Sequence, residues 1–151
     1  MIIYTYEHFK NDLLPLSRLC EPFQPDTILA VARGGLSLGH ALAMTLDVRN
    51  IQSIRIESYD ESTRREELTI FGECDFSVSK RVLIVDDIVD SGATLAALLP
   101  KLHARYPHIE FRVATLFTKS SAQVQPDFSL REATDWIDFY WERDFLKSNL
   151  L

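Results

Sequence analysis

The sequence predicts an α/β chain with a central, mainly parallel sheet flanked by helices. Three observations lead there. Val82-Leu83-Ile84-Val85 is a run of four branched apolar residues, the pattern of a strand buried on both faces in a parallel sheet. Thr27–Ala32 is a second short apolar run of the same kind. Each run ends in a glycine-containing turn that opens a helical pattern, so strand and helix alternate.

The N-terminal part reads as scaffold. Ile2–Tyr4 is a short apolar strand, and Thr5 is a candidate helix cap. Phe9, Leu13, Leu16 and Cys20 follow at helical spacing, which lays one face on the core. Pro15 falls inside that pattern and predicts a kink. The strand Thr27–Ala32 then runs into Arg33-Gly34-Gly35, ahead of a helix through Ala41, Leu42, Thr45 and Leu46. Two adjacent glycines after an arginine let the backbone fold closely around an anion, although a glycine pair by itself is more often a plain turn.

Ile51–Glu57 alternates as another strand. The stretch from Ser58 to Glu67 is charge-rich and without period, which predicts a loop. Leu68–Phe71 and Phe76–Val78 are expected as two short strands around Gly72, forming a ribbon before the central run. Beyond the helix through Leu95, Leu98, Leu99 and Leu102, Phe111–Phe117 is expected to be the last strand of the sheet, ending at Lys119. The remainder is aromatic, with Phe128, Trp136, Phe139, Tyr140, Trp141 and Phe145, which suits either a hydrophobic cluster, a subunit contact or a surface for a flat ligand.

The central run leads directly into chemistry. Asp86 and Asp87 sit at its C-terminal end, where open α/β sheets place their ligands. Asp90-Ser91-Gly92-Ala93-Thr94 follows as a small-residue turn at a helix start, whose N–H groups can hold a phosphate. Acidic groups for a metal or for sugar hydroxyls therefore lie beside a phosphate cradle.

The totals bound the rest. A chain of 151 residues with 46% apolar and 25% charged residues suits one domain, residues 1–151, with an ordinary core. The net charge of −6 argues against a broad nucleic-acid-binding face. Cys20 and Cys74 have neither zinc nor disulfide spacing, which fits a reducing cytoplasm. No apolar run approaches the ~20 residues of a membrane span, so any membrane contact is expected to be peripheral at most, and the N-terminus lacks a signal-peptide pattern.

The segment from Val82 to Thr94 resembles the phosphoribosyl-diphosphate (PRPP) signature of the type I phosphoribosyltransferases: an apolar run, paired acids, two apolar residues, then Asp-Ser-Gly-Ala-Thr. Ala32-Arg33-Gly34-Gly35, Ser58-Tyr59-Asp60, the strand-end Lys119 and Asp135-Trp136-Ile137-Asp138 extend the resemblance over nearly the whole chain, nearest to the short bacterial xanthine-guanine phosphoribosyltransferases. Three positions depart from the pattern. Glu142 stands where an aspartate is usual, Tyr140 where a proline is usual, and Ala93 where glycine is frequent.

The resemblance implies the type I phosphoribosyltransferase fold with a mobile flap at residues 58–78 and a small hood at residues 120–151. It implies purine salvage: guanine, xanthine or hypoxanthine plus PRPP gives GMP, XMP or IMP and pyrophosphate, with Mg²⁺ as cofactor. Arg33, Gly34 and Gly35 would take the pyrophosphate, behind a cis peptide at Ala32–Arg33. Tyr59 and Arg65 would act from the flap. Asp86 and Asp87 would hold ribose hydroxyls and the metal, with Glu142 as a further metal candidate. Asp90, Ser91, Gly92, Ala93 and Thr94 would grip the 5′-phosphate, with Asp90 as the general base. Lys119 would donate to the 6-oxo group, because an ammonium donates and cannot accept. Trp136 would stack on the base and the Ile137 backbone would read its 2-position edge. The resemblance also implies a homodimer or homotetramer and no nucleic-acid partner.

Two other classes fit parts of the sequence. A PRPP- or nucleotide-sensing RNA-binding regulator could share the fold and motif, but it needs a basic face and this chain is acidic. A phosphoacceptor receiver domain shares the Leu-Ile-Val-Asp-Asp strand, but there the acid pair lies near the start, whereas 85 residues precede Asp86 here.

Overall fold

The computed structural model describes residues 1–59 and 67–151. The elements run β1 (Ile2–Tyr4), α1 (Tyr6–Cys20), β2 (Thr27–Ala32), α2 (Leu36–Thr45), β3 (Asn50–Tyr59), β4 (Glu67–Phe71), β5 (Arg81–Val85), β6 (Ile88–Val89), α3 (Ala93–Arg105), β7 (Glu110–Thr118), β8 (Phe128–Glu132), β9 (Ile137–Phe139), α4 (Tyr140–Arg143) and α5 (Lys147–Leu150). Among the described residues the main sheet has seven strands in the order β4-β3-β2-β5-β7, with β6 and β8 also paired to β7. Only the β3–β4 pair is antiparallel. This is the α/β architecture the sequence predicts.

The central strand is apolar along its length because both faces are covered. Leu83 and Val85 pack with Leu16, Leu38 and Leu42 on the α1/α2 side, while Val82 and Ile84 pack with Leu95, Leu98 and Leu102 of α3. A sheet coated by helices on both faces leaves its strand ends as the open surface. Register then fixes which ends coincide. Ala30 of β2, Val85 of β5 and Ala114 of β7 lie in one row, so the chain leaves β2 at Arg33, β5 at Asp86 and β7 at Lys119 on the same edge.

Thr5 caps α1 as expected: its hydroxyl accepts from the His8 N–H, and the His8 ring accepts from the Thr5 N–H. The helix continues through Pro15 to Cys20. Two strand expectations are corrected. Phe76–Val78 is not a strand, and β4 pairs with β3 alone. The Asp75 carboxylate accepts from the Ser77 N–H and hydroxyl, and the Gln52 side chain holds the Asp75 backbone by both its N–H and its carbonyl. That turn drives Phe76 into the core against Tyr106 and Phe111. Nor is β7 the last strand, because β8 pairs parallel to it on the side away from β5, Ala114 to Phe128 through Thr118 to Glu132. Part of the expected hood, residues 120–151, is therefore sheet. The small two-stranded pair β1–β9 carries the rest.

No helix among the described residues is long and apolar enough to cross a membrane.

Candidate active site

The acid pair occupies a gap between β5 and β6. Register against β7 is kept across it, Val85 to Ala114 on one side and Ile88 to Phe117 on the other. The Asp86 N–H donates to the Ala114 carbonyl, and the Asp87 carbonyl accepts from the N–H groups of Leu116 and Phe117. Asp86 keeps part of its surface toward a cavity of about 440 Å³, while Asp87 is buried at 8% exposure.

Burial pushes the Asp86 carboxyl well above the usual carboxylate range, and the neighbouring charge of Asp87 pushes the same way. Burial pushes Asp87 up too, against hydrogen bonds from Asp86 and from backbone N–H groups. Two buried carboxylates side by side are costly to ionise together, so the pair suits a cation or several hydroxyl donors.

Arg33-Gly34-Gly35 packs directly on that pair. The Ala32–Arg33 peptide is cis. A Cβ at Gly34 would lie 2.5 Å from Asp87 Oδ2 and 2.8 Å from Oδ1, and one at Gly35 would strike the Val85 carbonyl oxygen. The glycines are needed first for close packing of loop on strand, a reason the sequence did not disclose. Arg33 is exposed at the rim.

On the other side, Asp90–Thr94 lines a smaller cavity of about 130 Å³ that Asp86 also reaches. Gly92 has φ +80° and caps α3, and a Cβ there would lie 2.7 Å from the Val124 nitrogen. No side chain suits this position, and α3 starts at once with Ala93, its N–H accepted by the Ser91 hydroxyl at 3.2 Å. The positive end of a 13-residue helix thus points into the small cavity's wall.

Lys119 reaches back across the rim, its Nζ 2.5 Å from Asp90 Oδ1. The Lys119 N–H donates to the Val89 carbonyl, and Gln125 Nε2 donates to the Lys119 and Ala122 carbonyls, so the strand-end turn is clamped. Gln125 carried no signal in the sequence.

The C-terminal segment forms the far wall. Trp136 stands 70% exposed at the cavity edge, Ile137 is buried in β9, and Glu142 faces the acids. Burial raises the Glu142 carboxyl, helped by the charge of Asp87 and opposed by that of Arg33. Asp86, Asp87 and Glu142 thus line one cavity, yet among the described residues no three metal-ligating side chains are close enough to hold an ion by themselves. Arg65 and the Tyr59 side chain, expected in the flap, lie outside the described residues.

One buried polar atom carried no signal in the sequence. Trp141 lies within an aromatic cluster, stacked on Phe139 at 4.8 Å and 13° and edge-on to Phe9 at 5.4 Å. Among the described residues, its indole nitrogen is buried without a hydrogen-bond partner. Its aromaticity was legible, but the burial of its unpaired N–H was not.

Residues 16–145 match the family described as the phosphoribosyl transferase domain. The fold superposes on a Helicobacter pylori xanthine-guanine-hypoxanthine phosphoribosyltransferase with a TM-score of 0.86 and 38% identity, covering 98% of this chain and 97% of the other. A purine phosphoribosyltransferase from Pyrococcus horikoshii superposes with a TM-score of 0.79 and 27% identity, over 93% and 94% of the two chains. A Neisseria gonorrhoeae protein with bound ppGpp shares the fold at a TM-score of 0.75 and 22% identity, over 99% and 93%.

Proposed function

This chain belongs to the phosphoribosyl transferase domain family, and we propose that it is a purine-salvage enzyme that converts guanine, xanthine or hypoxanthine plus PRPP to GMP, XMP or IMP and pyrophosphate. One observation carries the reading. Three parallel strand ends bring an arginine–diglycine loop, an acid pair with a helix-start cradle, and a lysine onto one cavity.

The reaction joins the purine N9 to the ribose C1′ while the bond from C1′ to the pyrophosphate oxygen breaks. The ring passes through a cation-like state, so the protein must steady positive charge at C1′ and negative charge on the leaving group. Asp90 takes the proton from N7 of the base as N9 becomes the nucleophile, a role worth ~10²–10⁴ in rate. Lys119 donates to the 6-oxo oxygen. Their 2.5 Å ion pair puts a donor and an acceptor side by side, the complement of a 6-oxo group beside an N7–H. Trp136 stacks on the purine face, and the Ile137 backbone reads the 2-position edge.

The N–H groups of Asp90–Thr94 grip the 5′-phosphate at the start of α3. Arg33, with Gly34 and Gly35, receives the pyrophosphate, and Tyr59 and Arg65 assist from the flap. Asp86 and Asp87 hold the ribose hydroxyls and Mg²⁺, with Glu142 facing them from the hood. The donor set fits: hard carboxylate oxygens, two of them kept costly to ionise by burial, suit a cation that takes one or two carboxylates and draws its other ligands from substrate and water. When bound, Mg²⁺ neutralises charge on the departing pyrophosphate. The assembled enzyme is a homodimer or homotetramer.

The test is pyrophosphate release with PRPP and Mg²⁺ when guanine, xanthine, hypoxanthine, adenine and orotate are offered in parallel. Release with the 6-oxopurines and little with adenine is expected. Preference for adenine would overturn the role of Lys119. PRPP binding without turnover of any base would replace the enzyme by a nucleotide-sensing regulator.

A further inference from the structure

We propose that Asp135 and Ile2 are positioning residues that clamp the Trp136 backbone at both ends and so set the wall that meets the base. The inference rests on the reading just given for Trp136 and Ile137. The hydrogen bonds that form the clamp do not depend on it.

A tryptophan side chain that is 70% exposed has little packing to hold it. Its backbone supplies the order instead. The Ile2 N–H donates to the Trp136 carbonyl at 2.7 Å, and the Trp136 N–H donates to Asp135 Oδ1 at 2.7 Å. The other Asp135 oxygen meets the Met1 amino group, so the carboxylate also joins this segment to the residue before β1. Asp135, Trp136 and Ile137 all line the large cavity.

The strand that does the clamping is itself tied to the core. β1 has three residues, and a two-stranded pair of that length is marginal alone. Tyr4 anchors it: the ring meets Phe117 of β7 at 5.3 Å and Phe139 of β9 at 5.6 Å, both edge-on. The Tyr4 hydroxyl donates to Asp12 at 2.8 Å, and Ile137 and Phe139 bury the partner strand. The order of the sheet core therefore passes through β1 to a residue that stands in solvent.

The same pairing decides which backbone groups are left for a ligand. N–H and carbonyl groups of successive strand residues point to opposite sides. Ile2 is paired with Ile137, and its N–H takes the Trp136 carbonyl. The Ile137 N–H and carbonyl therefore turn away from β1, toward the other side of β9. Among the described residues β9 pairs with β1 alone, so that side is open. A slip of one residue would present Trp136 and Asp138 there instead.

Backbone ¹⁵N relaxation of the unliganded protein tests the clamp. The Trp136 amide should have an order parameter of about 0.85, the value of rigid backbone. Asp135→Ala and Ile2→Pro each remove one bond and should lower it toward about 0.6. Asp135→Asn keeps a carbonyl acceptor and should restore it. An unmoved value in Asp135→Ala would overturn the clamp. The Asp135 side chain is 58% exposed, so its variants carry the test should Ile2→Pro fail to fold. This arm needs no substrate, so a wild type that releases no pyrophosphate would refute the proposed reaction and leave the clamp decided. In active enzyme, Asp135→Ala should raise KM for guanine about three- to tenfold, because the base must then order the Trp136 side chain itself. KM for PRPP should stay within about twofold, and Asp135→Asn should return KM for guanine. If it does not, the charge itself meets the base and the positioning role is lost. Ile2→Ala keeps the N–H and should raise KM for guanine less than Ile2→Pro does; equal effects would assign the role to packing and count against the clamp. A lowered order parameter with KM for guanine at the wild-type value would leave a contact of the fold only and overturn the proposal.

Discussion

Among the described residues Asp12 and Asp87 are buried, and the chain treats their surroundings in opposite ways. Asp12, on the inward face of α1, accepts a two-pronged hydrogen bond from Arg131 at 2.7 Å on each oxygen, and a third from the Tyr4 hydroxyl at 2.8 Å. Burial pulls its carboxyl up, but Arg131 and Tyr4 outweigh that and hold it below the usual carboxylate range. Asp26 behaves alike, with burial outweighed by N–H groups of Arg81 and Lys80 and by the Thr27 hydroxyl. Asp86 and Asp87 have no cation beside them among the described residues, and their carboxyls are pushed up. On the proposed function, the difference separates acids that hold the fold together from acids the fold keeps in reserve for a ligand. An acid kept in reserve weakens the empty protein and strengthens the complex.

The largest effect should come from breaking the reserve. Asp86→Asn removes a charge the fold holds at a cost, so turnover of PRPP should fall by about 10²-fold or more, as when one preorganised charged group is lost. Stability should move the other way. The folded carboxyl ionises at higher pH than the unfolded one, so above the usual 3.8 the fold is penalised, and the penalty fades as pH falls through that window. The melting midpoint of the unliganded variant should therefore exceed that of the wild type at pH 7, on the order of 2–4 °C per kcal/mol relieved, and the two should converge in acid. A midpoint below wild type at pH 7 would put Asp86 among the structural acids.

Asp12→Ala tests the other half. It leaves Arg131 unpaired and strips the buried Tyr4 hydroxyl of its acceptor. Removing one partner of a buried pair costs ~3–5 kcal/mol, and the half-exposed Arg131 brings this toward ~2–3 kcal/mol. Chemical denaturation should read that loss, while KM for PRPP stays within about twofold once the protein is folded, as this network does not line the cavity. A loss of PRPP affinity out of proportion to the loss of stability would erase the distinction between the two sites.

What was legible in the sequence follows the same line. The reserve site is written locally: the acid pair, the small-residue turn and the diglycine each sit within a few residues of a strand end, so the spacing carries them. The strands β2 and β5 were equally plain, because burial on both faces leaves continuous apolar runs, and β7 was plain from Val113 onward, where it too is buried. The Asp12–Arg131 pair was invisible, since 119 residues separate its members and only the packing of α1 on β8 brings them together. The strand β8 itself was hidden by half-buried residues without alternation, and the turn at Asp75 turned an expected strand at Phe76–Val78 into a buried anchor. The buried N–H of Trp141 belongs to the same class: composition announces an aromatic cluster, but which ring is left with an unpaired N–H is decided by tertiary contacts.

The smallest effect sharpens the comparison most. Tyr4→Phe deletes one donor to Asp12 and keeps the ring, which packs edge-on against Phe117 at 5.3 Å and Phe139 at 5.6 Å. The expected cost at pH 7 is about 1 kcal/mol, the net worth of one buried hydrogen bond. Its pH dependence identifies the mechanism. Asp12 has a folded carboxyl below the usual 3.8, so the stability it contributes is full above that value and is lost as pH falls through the folded one. Removing the Tyr4 donor lets the folded carboxyl rise toward its unfolded value, so wild type and variant should differ most at neutral pH and approach each other below the carboxylate range. Urea melts of the two proteins from pH 7 down to pH 3 measure the gap. A gap that stays constant would mean that Tyr4 acts through packing alone and that Arg131 by itself keeps Asp12 ionised.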